Sequence, residues 1–323
     1  SLLLRIFVAA ATPGGPNHTI KNTIMIHRLD QIVEEARRRG ARRLAVAYGQ
    51  DEHTLEAVAA AWREGIARPT IYGEKSKIVE KCRNLGVETA EFTIVDEPSD
   101  VACVRMAVAD VASGRADVLM KGLVSTDKYM RGILDKEAGL VPPKGVLSHV
   151  SVVQLPDYPR LLCIADVAVI PAPDFKQKTV LLKYLARTAA SLGIEKPLIA
   201  CIAPSEQVLP TVTSSTEAAI LAKMADRGQL GKVVVDGPLS LDVALYPEVA
   251  LQKKVQGSPV AGKADCLLFP NIESGNVFFK SATHFGGAEI AAMVVGAKVP
   301  CVLTSRGDTS ATKLYSIALA CIN

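Results

Sequence analysis

The chain is poor in aromatic residues and has no large excess of charge of either sign. Phe, Trp and Tyr make up 5% of its 323 residues, and 37 Lys and Arg against 33 Asp and Glu leave a formal net charge of +4. The basic residues are scattered, which excludes the long cationic stripe that a nucleic-acid partner requires. With 49% hydrophobic and 22% charged residues, the chain is long enough for two α/β domains with aliphatic cores.

The cysteines show neither a disulfide framework nor a metal-binding pattern. Their number, seven, is odd, and no two are spaced as C-x-x-C. Cys163, Cys201, Cys266 and Cys301 each stand inside an apolar run, where a thiol behaves as a small core residue. We therefore expect no metal site and a reducing, cytoplasmic location.

No hydrophobic run is long enough to cross a membrane. The longest apolar region, residues 288–303, is interrupted by Glu289, Lys298 and Pro300, so no membrane partner is expected. Apolar residues 2–11, followed by a Pro- and Gly-rich turn, resemble either a weak secretory signal or an upstream extension. We interpret residues 1–24 as an extension and expect the fold to begin at Met25.

Helix-like and strand-like patterns alternate through the first part of the chain. The predicted helices are residues 28–39, 54–66, 75–85 and 99–112, and the predicted strands are 43–49, 69–73, 89–95 and 117–120. This alternation predicts a mostly parallel sheet with helices on both faces. The run Pro142-Pro143-Lys144-Gly145 is the best candidate for a domain boundary.

Beyond this boundary the pattern changes and then returns. Three closely spaced runs at residues 148–155, 161–164 and 167–170 predict antiparallel additions to the sheet. A long helix then ends at residue 192. The remaining predicted strands are residues 197–203, 232–235, 265–269 and 293–303, and the predicted helices are 215–227, 241–253 and 274–285.

A strand, turn and helix start near the C-terminus form the first candidate site. The apolar run 299–303 leads into Ser305-Arg306-Gly307, and Asp308, Thr309 or Ser310 can cap the final helix. A helix N-terminus presents free N–H groups, and the planar guanidinium of Arg306 matches a phosphate or carboxylate. We interpret this turn as an anion clamp. The alternative is an ordinary capped turn with an exposed Arg.

The loop after the predicted strand 117–120 is a second candidate anion site. It contains Lys121, a helix cap at Ser125 or Thr126, and Arg131 further along the helix. Ligands of parallel sheets bind beyond the carboxyl ends of the strands, which favours a binding role. The alternative is a capped helix with two solvated cations.

Three later segments carry polar residues that are candidates for substrate binding. Asp236 and Gly237 follow a predicted strand, Ser258 lies in a loop of small residues, and Asn276 and Lys280 share one helix face. Each segment also has a plain structural interpretation, namely a carboxylate near a helix dipole, a surface turn or a solvated helix face.

Taken together, these motifs resemble the phosphate acetyl/butyryltransferase family. The resemblance rests on Asp236-Gly237-Pro238-Leu239 with Asp242, residues 257–265, Phe269-Pro270 with Ser274-Gly275-Asn276 and Lys280, and Ser305-Arg306-Gly307. It runs from about Met25 to the C-terminus. It implies the fold shared with isocitrate and isopropylmalate dehydrogenases, in which two α/β/α domains enclose a cleft. The first domain would be residues 25–142 plus 297–323, and the second 143–296.

The same resemblance implies roles for individual residues. Ser305 and Arg306 would bind the phosphoryl group and the thioester region, and Arg131 would be the other phosphate-side Arg. Acetyl-specific members carry an Asp six residues after the clamp Arg, proposed to accept the proton of the coenzyme A thiol, whereas this chain has Thr312. The run from Ser305 to Thr312 is closer to the phosphate butyryltransferase branch.

The implied activity is reversible transfer of a short-chain acyl group, butyryl favoured, between coenzyme A and inorganic phosphate by direct attack in a ternary complex. Coenzyme A would be a substrate, no cofactor would be permanently bound, and a homodimer or larger homo-oligomer is expected. The candidates for proton transfer are Asp308, His149, His284 and the phosphate itself. The alternatives are a phosphate acetyltransferase, a metal- and NAD-dependent hydroxy-acid dehydrogenase of the same fold, and a non-catalytic coenzyme A-binding protein.

Overall fold

The computed structural model describes residues 25–255, 257–305 and 307–323. The predicted extension at residues 1–24 and Arg306 of the predicted clamp lie outside these described residues. Within the described ranges, no helix has both the length and the apolar composition of a membrane span.

The helices are α1 Leu29–Arg39, α2 Glu52–Arg63, α3 Lys75–Asn84, α4 Asp100–Ala112, α5 Thr126–Leu134, α6 Phe175–Ser191, α7 Thr213–Asp226, α8 Leu241–Leu245, α9 Pro247–Gln252, α10 Ile272–His284 and α11 Ser310–Ile322. The strands are β1 Arg42–Ala47, β2 Ala67–Gly73, β3 Thr93–Asp96, β4 Val118–Lys121, β5 Ser148–Gln154, β6 Leu161–Ala165, β7 Leu198–Ile202, β8 Val234–Leu239, β9 Cys266–Leu268, β10 Glu289–Val295 and β11 Cys301–Val302.

These strands form one sheet in the order β3-β2-β1-β4-β11-β10-β5-β6-β9-β7-β8. The first five strands of this order are parallel, and so are the last four. Between the two parallel groups, antiparallel pairs join β11 to β10, β10 to β5 and β5 to β6. The prediction of antiparallel additions after residue 142 is therefore confirmed for β5 and β6.

The two faces of the sheet bury different cores, because alternate residues of a strand point to opposite sides. Leu44 of β1 packs into a core that extends across both parallel groups, whereas its neighbour Ala45 faces a second core confined to the first group. On this same side of the sheet, Val294 of β10 belongs to the second core and Ile290 to a third core over the other group. The second and third cores therefore part above β10.

Side-chain caps fix the starts of three helices that line the gap between these cores. Ser125 caps α5, Asn271 caps α10 and Thr309 caps α11, each by accepting a hydrogen bond from a backbone N–H three residues later. Such caps satisfy N–H groups that a helix start leaves unpaired. Among the alternatives that the sequence leaves open, the structure thus selects Ser125 and Thr309.

Two predicted elements are wrong in type or continuity. Residues 167–170 do not form a strand, and 167–169 are bends, because the Asp166 carboxylate accepts hydrogen bonds from three N–H groups of this segment. The predicted helix 241–253 is split into α8 and α9, with Pro247 as the first residue of α9. Proline has no N–H to donate inside a helix, so it starts a new one.

Three predicted strands have different ends. The strand predicted at 232–235 is β8, which continues through Asp236-Gly237-Pro238, so this motif lies inside a strand rather than in a turn. The run 293–303 forms the two strands β10 and β11, which reverse direction at a turn where Gly296 has a φ of 99°. The predicted strand 89–95 begins instead with a 3-10 turn at Thr89–Glu91.

Candidate active site

A cleft of about 570 Å³ opens where the second and third cores part. Its lining comes from the β4–α5 junction, from β5, β10 and one face of α10, and from the loop before α11. The lining residues are Lys121, Val124, Ser125, Thr126, His149, Val167, Ala168, Asn276, Phe279, Lys280, Ile290, Ala292, Leu303, Thr304, Ser305, Asp308 and Thr312. The cleft thus brings together eight predicted site residues, namely Lys121, Ser125, Thr126, Asn276, Lys280, Ser305, Asp308 and Thr312.

The floor of the cleft is formed by the antiparallel strands β5 and β10. Their register places Ser151 opposite Ala292 and His149 opposite Val294. His149 and Ala292 line the cleft although only 5% and 4% of their surfaces are exposed. A ligand on this floor meets one imidazole and one methyl group.

The loop between β11 and α11 forms one wall. The Asp308 carboxylate accepts a hydrogen bond from the Ser305 N–H at 2.6 Å, and the Asp308 N–H donates back to the Ser305 carbonyl oxygen at 3.2 Å. Asp308 therefore holds the turn closed, while Thr309 caps the helix. Because the Ser305 N–H is already paired, the Ser305 hydroxyl is the donor that this residue offers to a ligand.

Two buried lysines hold the same loop. Lys313 Nζ donates to Thr304 Oγ1 at 3.1 Å and to the Ser305 carbonyl oxygen at 2.9 Å, and Lys121 Nζ donates to the Thr304 carbonyl oxygen at 3.4 Å. Each lysine is only 3% exposed, and burial lowers the pKa of Lys313. These cationic side chains make this end of the cleft attractive to an anion.

Arg131 lies outside the cleft. Its side chain is 78% exposed and forms a 3.0 Å ion pair with Asp127, and it lines a separate groove between α4 and α5. Five residues of an α-helix rotate the side chain by about 140° relative to Thr126, so the two positions face different directions. The structure therefore does not bring Arg131 to Lys121.

The opposite wall is α10, which lies close to the segment after β6 because of a glycine. A Cβ atom at Gly275 would stand 2.3 Å from the Asp166 carbonyl oxygen, a distance that no larger residue tolerates without a shift. The neighbouring Asn276 Nδ2 donates to the Val167 carbonyl oxygen at 3.0 Å. Both contacts place α10 against the segment that follows β6.

The exposed side of this wall carries a further cation and an aromatic ring. Lys280 Nζ lies 5.4 Å from the centre of the Phe279 ring, within the range of a cation–π interaction. The same ring meets the His149 imidazole edge-on, with 6.5 Å between ring centres and an interplanar angle of 86°. Lys280 thus adds positive charge across the cleft from Lys121.

A buried carboxylate ties the floor to this wall. Asp166 is 1% exposed and accepts hydrogen bonds from the Ser148 hydroxyl, the His149 N–H and the N–H groups of residues 168–170. Hydrogen bonds to a carboxylate are stronger than those between neutral groups. Asp166 therefore fixes the positions of His149 and of the 167–168 segment.

Three predicted binding residues, Asp236, Gly237 and Ser258, are not among the described residues that line this cleft. Asp236 accepts a hydrogen bond from the Gly237 N–H inside β8, and the Ser258 hydroxyl accepts bonds from two N–H groups of its own turn. Asp242, from the same motifs, pairs with Lys253 at 3.0 Å. The side chains of Asp236 and Ser258 thus stabilise the backbone next to them, and Asp242 forms an ion pair with a nearby lysine.

Several residues that shape the cleft received no role from the sequence. Asp166 interrupts an apolar run, and Lys313 stands in the largely apolar face of the last helix; a charged residue in such a setting is a signal of a buried polar contact. The apolar lining residues Phe279, Ile290 and Ala292 carry no such signal. Their place in the site follows only from the pairing of β10 with β5 and the packing of α10.

The cleft of this mixed α/β fold combines cationic side chains with an apolar wall, and such a lining fits a ligand with both an anionic and an apolar part. The model of the family described as phosphate acetyl/butaryl transferase matches residues 28–104 and 101–321. The chain belongs to this family of phosphate acyltransferases, which confirms the resemblance seen in its motifs.

Individual relatives agree with this membership. The phosphate butyryltransferase of Clostridium acetobutylicum is 42% identical over 92% of this chain and 98% of its own. The phosphate acetyltransferase of Thermotoga maritima is 41% identical over 91% of this chain and 99% of its own. The crystal structure of a branched-chain phosphotransacylase from Enterococcus faecalis superposes with a TM-score of 0.75 at 30% identity, covering 86% of this chain and 97% of that one. The large mixed sheet is thus shared with solved phosphotransacylases.

Proposed function

We propose that this chain transfers a short-chain acyl group, with butyryl preferred over acetyl, between coenzyme A and inorganic phosphate. The observation that carries the proposal is the cleft, in which the buried Lys121 and the loop held by Lys313 at one end meet an apolar wall. Family membership and relatives named for butyryl and acetyl transfer support the same reaction. Coenzyme A is a substrate in this proposal, and no permanently bound cofactor takes part.

In this proposal the phosphate lies at the loop before α11. The Ser305 hydroxyl faces it, and Lys121 and Lys313 hold the loop and supply positive charge. Arg306 is predicted to bind the phosphoryl group. When a phosphate oxygen attacks the thioester, negative charge develops on the carbonyl oxygen. Removing one donor that stabilises such charge costs on the order of 10²-fold in rate.

The acyl chain lies against the apolar part of the cleft. This wall includes Val124, Val167, Phe279, Ile290 and Leu303. Burial of a CH₂ group contributes about 0.8 kcal/mol. The two additional CH₂ groups of butyryl therefore give it an advantage over acetyl of up to about 15-fold.

Phosphate attacks the thioester directly in a ternary complex, without a covalent acyl-enzyme. All seven cysteines are buried as free thiols, and none is among the described residues that line the cleft. Burial raises the pKa of Cys301, the cysteine nearest to Ser305 in sequence, to about 12. A protonated thiol in the core is a poor nucleophile, which supports direct attack.

The proposal includes the isocitrate/isopropylmalate dehydrogenase-like division into residues 25–142 plus 297–323 and residues 143–296. In support, the strands from β3 to β11 in the sheet order come from the first set, and those from β10 to β8 come from the second. Free buried thiols support a reducing, cytoplasmic location. Phe285, which is 90% exposed at the end of α10, supports a homodimer or larger homo-oligomer.

A thiol-release assay tests the proposal. The purified chain is offered acetyl-, butyryl- and isobutyryl-coenzyme A, with and without inorganic phosphate. We expect phosphate-dependent release of free thiol, with kcat/KM for butyryl-coenzyme A about 10-fold above that for acetyl-coenzyme A, since the apolar wall binds the longer chain. Initial velocities measured against both substrates should give intersecting rather than parallel lines.

Two results would count against the proposal. Absence of phosphate-dependent thiol release with every acyl-coenzyme A would contradict the proposed reaction. If coenzyme A nevertheless bound without turnover, the result would favour a non-catalytic coenzyme A-binding protein. A preference for acetyl-coenzyme A would leave the reaction standing and overturn the butyryl preference.

A further inference from the structure

The proposed reaction moves a proton, and Thr312 cannot carry it. Inorganic phosphate enters at neutral pH largely with a proton, and coenzyme A leaves as a thiol with one. Thr312 lines the cleft, but a hydroxyl is neither a base nor an acid near neutral pH. Some other group in the cleft must accept and release this proton.

We propose that His149 carries the proton between phosphate and the sulfur of coenzyme A. The inference rests on the proposed function. A phosphate oxygen forms the C–O bond to the acyl carbon, the C–S bond breaks, the proton of hydrogen phosphate passes to imidazole Nε2, and Nε2 delivers it to the departing sulfur. In the reverse direction the thiol gives its proton to Nε2, the C–S bond forms, the C–O bond breaks, and the proton returns to phosphate.

The hydrogen bonds of the ring leave one nitrogen for this task. His149 Nδ1 lies 3.3 Å from the hydroxyl of Ser151, which is fully buried. Within the part of the chain that the structure describes, Nε2 has no hydrogen-bond partner, although His149 lines the cleft. The edge-on Phe279 ring limits the rotation of the imidazole. Nε2 is therefore the nitrogen available to a ligand.

The backbone that carries His149 is held in place. The His149 N–H donates to the Asp166 carboxylate at 3.1 Å, and the same carboxylate oxygen accepts the Ser148 hydroxyl at 2.9 Å. On the other edge, the strand is paired residue by residue with β10. A proton carrier on a central strand is positioned more precisely than one on a loop.

The charges around the imidazole suit a group that alternates between neutral and protonated forms. Burial lowers the pKa of His149, and this effect outweighs the Asp166 and Asp308 carboxylates, which raise it. Lys121 and Lys280 line the same cleft and add positive charge. The imidazole is thus neutral at neutral pH and ready to accept a proton, while the two carboxylates stabilise the cation when it forms.

The other candidates for the proton are less suitable. Asp308 already accepts the Ser305 N–H at 2.6 Å. His284 is exposed at the last turn of α10 and is not among the described residues lining the cleft. His149 is the candidate that both lines the cleft and keeps an unpaired nitrogen within the described residues.

Replacement of His149 by Gln tests the inference in the direction from acyl phosphate to thioester, where free phosphate cannot shape the pH profile at early times. We expect kcat of His149→Gln to fall about 10²- to 10⁴-fold, with KM for coenzyme A changed less than about 3-fold. In the wild type, kcat should fall on the acid side of the ordinary histidine pKa, since burial lowers the pKa of His149 and protonation of the ring removes the acceptor. This acid limb should vanish in the variant.

A chemical rescue separates proton transfer from packing. Imidazole added to His149→Ala should restore part of kcat, whereas pyrazole, which has a similar shape but is a far weaker base, should not. His53→Gln, at an exposed histidine on α2, is the matched control and should keep wild-type kcat. Thermal unfolding verifies that each variant is folded. Ser151→Ala, which retains the imidazole, provides a milder second variant and should lower kcat about 3- to 10-fold by loosening the ring.

The outcomes separate this inference from the proposed function. If the wild type is active, three results would overturn the role of His149 alone. The folded His149→Gln variant could keep kcat within 3-fold of the wild type, or it could retain the acid limb of the pH profile. The His149→Ala variant could be rescued equally well by pyrazole and by imidazole. A wild type inactive with every acyl phosphate overturns the proposed function, and this inference with it.

Discussion

Lys313 illustrates how much a single residue can contribute to the site without facing the cleft. It is 3% exposed and donates to Thr304 and Ser305, and it has no ion pair among the described residues. Burying a charge in this way opposes folding, and burial accordingly lowers the pKa of Lys313. Despite this cost, Lys313 holds the loop between β11 and α11 in position through its hydrogen bonds to Thr304 and Ser305.

Lys313→Met tests this role. The substitution removes both hydrogen bonds to the loop, so we expect kcat/KM to fall at least 10-fold. The free energy of unfolding should stay equal or increase, because a buried charge is replaced by an apolar side chain of similar length. Thiol-release kinetics and urea unfolding measure the two effects.

Lys298 is exposed and offers a matched control. Lys298→Met should change neither kcat/KM nor the free energy of unfolding. A Lys313→Met variant that keeps normal turnover, or that loses activity only in proportion to lost stability, would contradict a positioning role.

At the scale of elements, α10 is the helix whose placement defines the cleft. Gly275 allows it to approach the Asp166 carbonyl oxygen, Asn276 bonds to Val167, and Lys280 then projects from the next turn toward the opening. The sequence predicts this helix and groups Asn276 with Lys280. It does not reveal that the glycine between Ser274 and Asn276 determines how close the helix lies.

Gly275→Ala tests the close approach. Ala is favoured over Gly inside a helix by about 1 kcal/mol, so a position with free space would become more stable. Here the added Cβ would stand 2.3 Å from a backbone oxygen. We expect a net loss of about 1–3 kcal/mol in the free energy of unfolding and a fall of at least 10-fold in kcat/KM as α10 moves.

Val277→Ala on the same helix is the control, since Val277 is 64% exposed, and it should leave activity unchanged. A stabilised and fully active Gly275→Ala variant would show that the helix does not need this contact.

At the scale of the whole molecule, the cleft exists because the sheet buries one continuous core on one face and two separate cores on the other. The gap lies over β5 and β10, which are antiparallel to their neighbours and join the two parallel groups. Ala292 lies at this junction, between Ile290 in one core and Val294 in the other. Its small side chain keeps the floor of the cleft low.

Ala292→Leu should therefore change acyl specificity. The larger side chain fills the floor, so kcat/KM for butyryl-coenzyme A should fall at least 10-fold more than kcat/KM for acetyl-coenzyme A. Ile290→Ala removes side-chain atoms from the apolar wall and so enlarges the space for the acyl chain. It should shift the preference in kcat/KM in the opposite direction, toward acyl groups longer than butyryl. Equal losses for acetyl and butyryl substrates in Ala292→Leu would contradict this placement of the acyl chain.

Much of this architecture is predictable from local patterns. Apolar periodicity predicts most helices and strands because each must bury one face, and Ser125 and Thr309 are among the predicted caps because their side chains suit helix starts. The same patterns fail at residues 167–170, where apolar residues resemble a strand but the preceding side chain decides. There the Asp166 carboxylate accepts hydrogen bonds from three N–H groups two to four residues further on, and this local competition with strand pairing is not part of an apolar periodicity.

The family, the alternating α/β character and about half of the cleft follow from the amino-acid sequence, since eight predicted residues including Lys121 and Ser305 converge there. Only the packing of the chain reveals which other candidates stay outside, as with Arg131, and which side chains without a predicted role enter, as with Phe279 and Ala292. The physical reason is that helix and strand periods, caps and turns depend on neighbours along the chain. The floor of the cleft depends on which strands pair and on how closely α10 packs, and those contacts join segments more than 100 residues apart.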